Sequence, residues 1–116
     1  MNQLQQLERK SRLWHIEGAA RAIQEFAGNR SLEEYERDDL LVAAVERQLI
    51  IIGEALNRAS QVDPELVSQI SDAAGIIGLR HQLVHNYPHI DTAEIFKIVT
   101  DDLPVLLTEV RALLNE

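Results

Sequence analysis

Residues 38–60 read DDLLVAAVERQLIIIGEALNRAS, and their apolar side chains recur at steps of three and four residues. Successive residues of an α-helix are rotated by about 100°, so this spacing places the apolar side chains on one helix face. Asp38 stands before the repeat and Ser60 closes it. The stretch therefore predicts a long amphipathic helix that buries one face against other parts of the chain.

The rest of the chain shows the same helical periodicity, and it contains only five glycines and three prolines. A first long helix, whose apolar stripe includes Leu4, Leu7 and Trp14, is predicted to end near Gly28. Ser31 and Glu34 then have the spacing of a capping box, which indicates a short turn of helix. After the helix at 38–60, a further short helix is predicted at 64–70.

Two more helices are predicted in the C-terminal part. Pro88 disfavours helical geometry at the residue before it, so the first of them should finish near Asn86. The last helix should begin at Asp91 and bend at Pro104, because proline lacks the N–H of one backbone hydrogen bond. The pattern predicts one all-α domain, residues 1–116, built as an antiparallel, up-and-down helical bundle of four to five helices.

Composition limits the function classes. The absence of cysteine excludes disulfides, thiolate metal sites and cysteine nucleophiles. No stretch approaches the ~20 apolar residues of a membrane span, and residues 1–12 lack the apolar run of a signal peptide, so we expect a cytoplasmic protein with no membrane association. The net charge of −8 disfavours binding of RNA or DNA through overall charge. A role on RNA therefore requires cations that are concentrated locally or supplied by a partner.

Residues 80–89 read RHQLVHNYPH and collect three histidines, an arginine and a tyrosine. The simplest interpretation is a polar helix terminus, where Arg and His complement the helix dipole. Arg80 and Tyr87 are seven residues apart and share a helix face, whereas His85 lies about 140° from Arg80. The three side chains converge only if the helix end is unwound or if dimerisation brings a second copy close.

The histidines of this segment also have the spacing of a possible metal site. His81 and His85 are four residues apart and share a helix face, as two imidazole ligands would. Pro88, however, takes His89 off that helix, and no acidic residue lies between the first two. We therefore predict no metal site and no cofactor.

The spacing Arg80-x4-His85-x-Tyr87 resembles the signature of the HepT family, a branch of the HEPN (higher eukaryotes and prokaryotes nucleotide-binding) superfamily. Two positions differ from the family pattern. His81 replaces the usual Asn or Asp, and the tryptophan often found before the motif is absent. Three other segments resemble the family in the same order: 46–55, which ends in Ile-Gly-Glu-Ala, then 77–80 and 101–104.

This resemblance implies a metal-independent endoribonuclease toxin of a type VII-like toxin–antitoxin system. His85 would be the general acid or base for the ribose 2′-OH and the leaving 5′-oxygen. Arg80 would stabilise negative charge on the phosphoryl oxygens. A homodimer with two such pairs facing each other would concentrate positive charge despite the acidic total. The expected substrate is RNA, such as tRNA or mRNA, and not DNA.

Tyr87 has two interpretations. Its ring could pack at the helix end while its hydroxyl finds a hydrogen-bond partner. In HepT-like proteins, however, the tyrosine of this motif is modified with AMP by a minimal nucleotidyltransferase antitoxin, and the resemblance implies the same for Tyr87. A phosphate added beside Arg80 and His85 would compete with the phosphate of the substrate and block the site.

Glu46, Arg47 and His81 are supporting candidates. Glu46 and Arg47 either form ion pairs of little energetic consequence, or Arg47 adds a second cation to the site. Two other functions remain open: a non-catalytic helical module that docks a nucleotidyltransferase or binds a nucleotide, and a homodimeric scaffold in which the cluster is incidental. The acidic charge and His81 favour the module. RNA cleavage that is abolished by His85→Ala would separate the ribonuclease from the module.

Overall fold

The computed structural model describes residues 1–85 and 90–116. Within these ranges the chain is helical and contains no strand, which confirms the all-α prediction. None of the described helices is long and apolar enough to cross a membrane. The helices are α1 (Gln3–Ala27), α2 (Leu32–Arg37), α3 (Asp39–Val62), α4 (Leu66–Gln69), α5 (Ala73–Val84), α6 (Thr92–Lys97) and α7 (Leu103–Leu114), with a π-helical turn (Ile98–Asp102) between the last two.

Helix α3 is the centre of the bundle, and it matches the helix predicted from residues 38–60. Asp38 caps its N-terminus by accepting a hydrogen bond from the backbone N–H of Leu41 at 3.1 Å. The helix packs against α1 and against α5, while α7 packs against α1. Most apolar residues of the sequence repeat are buried, including Leu41, Val45, Leu49, Ile52, Leu56 and Ala59, but Leu40 of the same repeat is 84% exposed.

Helix α1 is only partly buried. Arg9 pairs with Asp63, the residue that follows α3, with Nε 2.9 Å from Oδ2. The first two turns of α1 therefore extend beyond the end of α3. Leu4 and Leu7, which the periodicity placed on the apolar stripe, are 77% and 61% exposed for this reason, and Trp14 of the same predicted stripe is also exposed.

The connections between helices use local capping. Ser31 and Glu34 form the predicted capping box at the start of α2. The short helix predicted at 64–70 exists as α4, but it begins only at Leu66. Asp72, which precedes α5, has a φ of 56°, a left-handed conformation that Asp tolerates better than most residues.

Pro104 interrupts the last helix at the predicted place. Because Pro104 has no N–H, the regular hydrogen-bond ladder cannot continue through it. The ladder shifts in the turn before the proline, where the N–H of Leu103 donates to the carbonyl of Ile98, five residues earlier. The interruption therefore takes the form of a π-helical turn, and Pro104 lies in the first turn of α7, a position that favours proline.

Candidate functional site

Arg80 lies in α5 on the side that faces α3. The two helices approach most closely at Gly53, where an added Cβ would overlap the Cβ of Arg80 and lie 2.9 Å from its Cγ. The Arg80 side chain is 28% exposed. Glycine at position 53 therefore allows the stem of Arg80 to lie against the backbone of α3 while the guanidinium reaches the edge of the bundle.

Glu54 holds the guanidinium of Arg80. Nη2 of Arg80 donates to Oε2 of Glu54 at 2.8 Å, and Nη2 of Arg58 lies 3.7 Å from Oε1 of the same carboxylate. The hydrogen bond from Arg80 and then its positive charge lower the pKa of Glu54 below its ordinary value. Nε of Arg80 is buried and makes no hydrogen bond to the described residues. The carboxylate thus orients Arg80 without satisfying all of its donors.

His85 is the C-cap residue that follows α5, and its backbone N–H donates to the carbonyl of His81 at 3.1 Å. The rings of His81 and His85 contact each other, with centroids 4.2 Å apart and planes inclined at 53°. Both side chains are exposed. The prediction that these two histidines share a helix face is confirmed. Arg80, in contrast, turns towards α3, so the two predicted catalytic side chains lead away from α5 in different directions.

Tyr87 and His89 lie in the segment 86–89, outside the described residues. The modification site at Tyr87 therefore stays a prediction, and so does the assignment of His89. Within residues 1–85 and 90–116, no three His, Asp or Glu side chains are grouped to hold a metal ion.

Glu46 and Arg47 occupy different environments on α3. Glu46 is partly buried, and burial raises the pKa of its carboxyl. Burial raises the pKa of Tyr35 to about 12, and the negative charge of the nearby Glu46 is a smaller cause of the same rise. Arg47 is exposed and lines a pocket between α1 and α3 that Glu54 also lines. Of the two supporting candidates on α3, Arg47 is therefore the one placed near the partner of Arg80.

Glu54 is the site residue that the sequence reasoning missed. It belongs to the Ile-Gly-Glu-Ala segment singled out by resemblance, but a carboxylate 26 residues before Arg80 carries no local signal of contact. The same holds for Arg12 and His15 of α1, which line the pocket with Arg47. Helical spacing alone could show that these residues are polar, but not that they meet.

A family model described as Ribonuclease HepT-like matches residues 16–113 of the chain. The chain belongs to the HepT-like ribonuclease family. It is 32% identical over 101 residues to a protein of Methanocaldococcus jannaschii named "Putative RNase MJ1380", and the alignment covers 87% of this chain and 92% of that protein. No solved structure matches the chain. Membership of the HepT-like family supports an RNase activity of the HEPN type.

Proposed function

We propose that this chain is a metal-independent endoribonuclease in which Arg80 and His85 cleave RNA. The observation that carries the proposal is the arrangement of α5: Arg80 is oriented by Glu54 at 2.8 Å, and His85 is exposed at the end of the same helix. An oriented cation and an accessible imidazole are the two groups that phosphodiester cleavage by internal transfer requires.

The reaction assigns one task to each group. A base removes the proton of the ribose 2′-OH, O2′ attacks phosphorus, and the 5′-oxygen leaves with a proton supplied by an acid. The products are a 2′,3′-cyclic phosphate and a free 5′-OH. Imidazole exchanges protons near neutral pH, which suits His85 to the proton transfers. The guanidinium of Arg80 stays charged and can donate to two phosphoryl oxygens as negative charge develops on them.

We further propose that the active site is shared between two copies of the chain. Arg80 and His85 are five residues apart, about 140° around the helix, and Arg80 is drawn to α3 while His85 points outward. One copy therefore places the two groups poorly for a single phosphodiester. A two-fold homodimer would bring Arg80 of one copy to His85 of the other.

Co-expression of two inactive variants tests this sharing. Chains carrying Arg80→Ala are paired with differently tagged chains carrying His85→Ala, and the mixed dimer is isolated. If each site uses Arg80 from one copy and His85 from the other, one of the two sites in the mixed dimer is intact, and we expect about half of the wild-type rate. No recovery in the mixed dimer, with wild-type activity otherwise established, would place both residues in one chain.

The ribonuclease proposal itself is tested by RNA cleavage with purified protein. We expect cleavage that persists in the presence of a chelator, ends in a 2′,3′-cyclic phosphate, and is abolished by His85→Ala. Arg80→Lys keeps the charge but loses the planar donor geometry, and should retain only weak activity. Cleavage that requires one added metal would contradict the mechanism.

For regulation, we propose that the chain is the toxin of a type VII-like toxin–antitoxin pair and that a nucleotidyltransferase antitoxin transfers AMP to Tyr87. The family signature supports this assignment, and the added phosphate would pair with the cations of the site. Co-expression with the nucleotidyltransferase should add the mass of AMP to the peptide that contains Tyr87, and Tyr87→Phe should prevent it. Neutralisation without modification would instead indicate steric docking.

The second candidate function is the non-catalytic module that docks a nucleotidyltransferase. The net charge of −8 and His81 in the motif favour it. It predicts that Tyr87 is modified while the unmodified protein leaves RNA intact, so the cleavage assay separates the two functions.

A further inference from the structure

A pocket of about 180 Å³ lies between α1 and α3, and its lining includes Glu54, the ion-pair partner of Arg80. Three of its side chains are basic: Arg12 and His15 of α1, and Arg47 of α3. Its remaining lining is apolar except for Glu54, and consists of Ile50, Ile51 and Ala55. The chain as a whole has 19 Asp and Glu residues against 11 Lys and Arg residues, so a pocket lined by two arginines and one carboxylate departs from the average composition.

The acidic charges near this pocket are already compensated. Glu54 accepts a hydrogen bond from Arg80 at 2.8 Å and lies 3.7 Å from Arg58. Arg12 has Glu8 at 3.6 Å, one helical turn away, in a partly exposed pair of the kind that contributes little to stability. Arg47 forms no ion pair with the described residues. The pocket thus offers the guanidinium groups of Arg12 and Arg47 to an anion.

We propose that this pocket binds a backbone phosphate of the RNA substrate, next to the phosphodiester that is cleaved. The inference rests on the proposed ribonuclease function and adds a substrate-binding subsite to it. Two arginines from different helices can donate to the oxygens of one phosphate, and His15 adds a further donor. Ile50 and Ile51 offer a ribose or base an apolar surface to lie against.

Glu54 connects the pocket to the catalytic group. The same carboxylate lines the pocket and holds Arg80, so the two phosphate-binding positions are separated by a single side chain. Adjacent phosphates of one RNA strand could then occupy the pocket and the Arg80 position together. This arrangement would let a chain with net charge −8 retain RNA, because Arg12, Arg47 and Arg80 are all placed around Glu54.

RNA binding by the full chain carrying His85→Ala tests the proposal without cleavage. We expect Arg47→Ala in this background to weaken binding of a fluorescent single-stranded oligonucleotide about tenfold, and Arg12→Ala with Arg47→Ala to weaken it further. The slope of log affinity against log salt should become shallower by about 0.7 for each phosphate that the variant no longer neutralises. Arg37→Ala is the matched control, since Arg37 is an exposed arginine of α2 outside the pocket.

A second measurement separates failure of the pocket from failure of the ribonuclease function. Inorganic phosphate is titrated into ¹⁵N-labelled protein, and the side-chain and backbone resonances of Arg12 and Arg47 are followed. Saturable shifts without RNA binding would keep the pocket as a phosphate site and overturn its role in RNA binding. If RNA binds and the Arg12, Arg47 double variant behaves like Arg37→Ala, the proposed subsite is wrong.

Discussion

Replacing Gly53 with alanine would perturb the contact that seats Arg80. The new Cβ would overlap the Cβ of Arg80 and lie 2.9 Å from its Cγ and 3.2 Å from the carbonyl oxygen of Ile76. The Arg80 Cβ and the Ile76 carbonyl cannot rotate away, so α5 must shift from α3. Such overpacking costs about 1–3 kcal/mol. The higher helix propensity of alanine returns about 1 kcal/mol, which leaves a net loss of up to about 2 kcal/mol.

Thermal unfolding followed by circular dichroism measures this loss. For a domain of this size, a change of 1 kcal/mol moves Tm by about 4 °C, so Gly53→Ala should lower Tm by up to roughly 8 °C. Gly18→Ala is the matched control: Gly18 also lies inside a long helix, but a Cβ there has no heavy atom within 4 Å. It should raise Tm by roughly 2–4 °C, because only the helix propensity changes.

The activity of the same variants completes the test. Because Gly53→Ala displaces the stem of Arg80, RNA cleavage should fall between about ten- and a hundredfold at a temperature where the variant is folded. Gly18→Ala should retain full activity. If both variants gain stability equally, α3 and α5 do not approach as closely at Gly53 as described, and the reasoning that glycine seats Arg80 is refuted.

Three further substitutions test the polar groups. Glu54→Gln should reduce RNA cleavage between about ten- and a hundredfold in single-turnover assays, because Arg80 loses its orienting charge. The pKa of Glu54 is lowered from 4.5, so its charged form stabilises the folded protein. The difference in Tm between wild type and Glu54→Gln should therefore shrink as pH falls below that value. Tyr35→Phe should leave the free energy of unfolding in urea unchanged or raise it by about 1 kcal/mol. The buried hydroxyl has no partner among the described residues, and the ring keeps its contact with Phe96. A clear loss of unfolding free energy would reveal a hydrogen bond. Glu46→Gln should stabilise the protein at pH 7 but not at pH 4, because burial raises the pKa of Glu46 and its charged form therefore destabilises the folded state. Equal effects on stability at both pH values would contradict this.

The sequence by itself determined the helices and their local ends. The period of residues 38–60 predicted α3, and the Ser31–Glu34 spacing predicted a capping box that the structure contains. The shared face of His81 and His85 also followed from a four-residue spacing. These features depend on neighbours along the chain, so helix geometry alone specifies them.

Only the tertiary structure decided which helix faces which, and that choice built the site. The period could not show that Leu4 and Leu7 extend past the end of α3 and stay exposed, because it contains no information on the length of the partner helix. Nor could it show that Glu54 would meet Arg80 across 26 residues, or that Arg47 would share a pocket with α1. Contacts of this kind arise when whole helix faces pack together, and the sequence spacing between the two partners does not encode them.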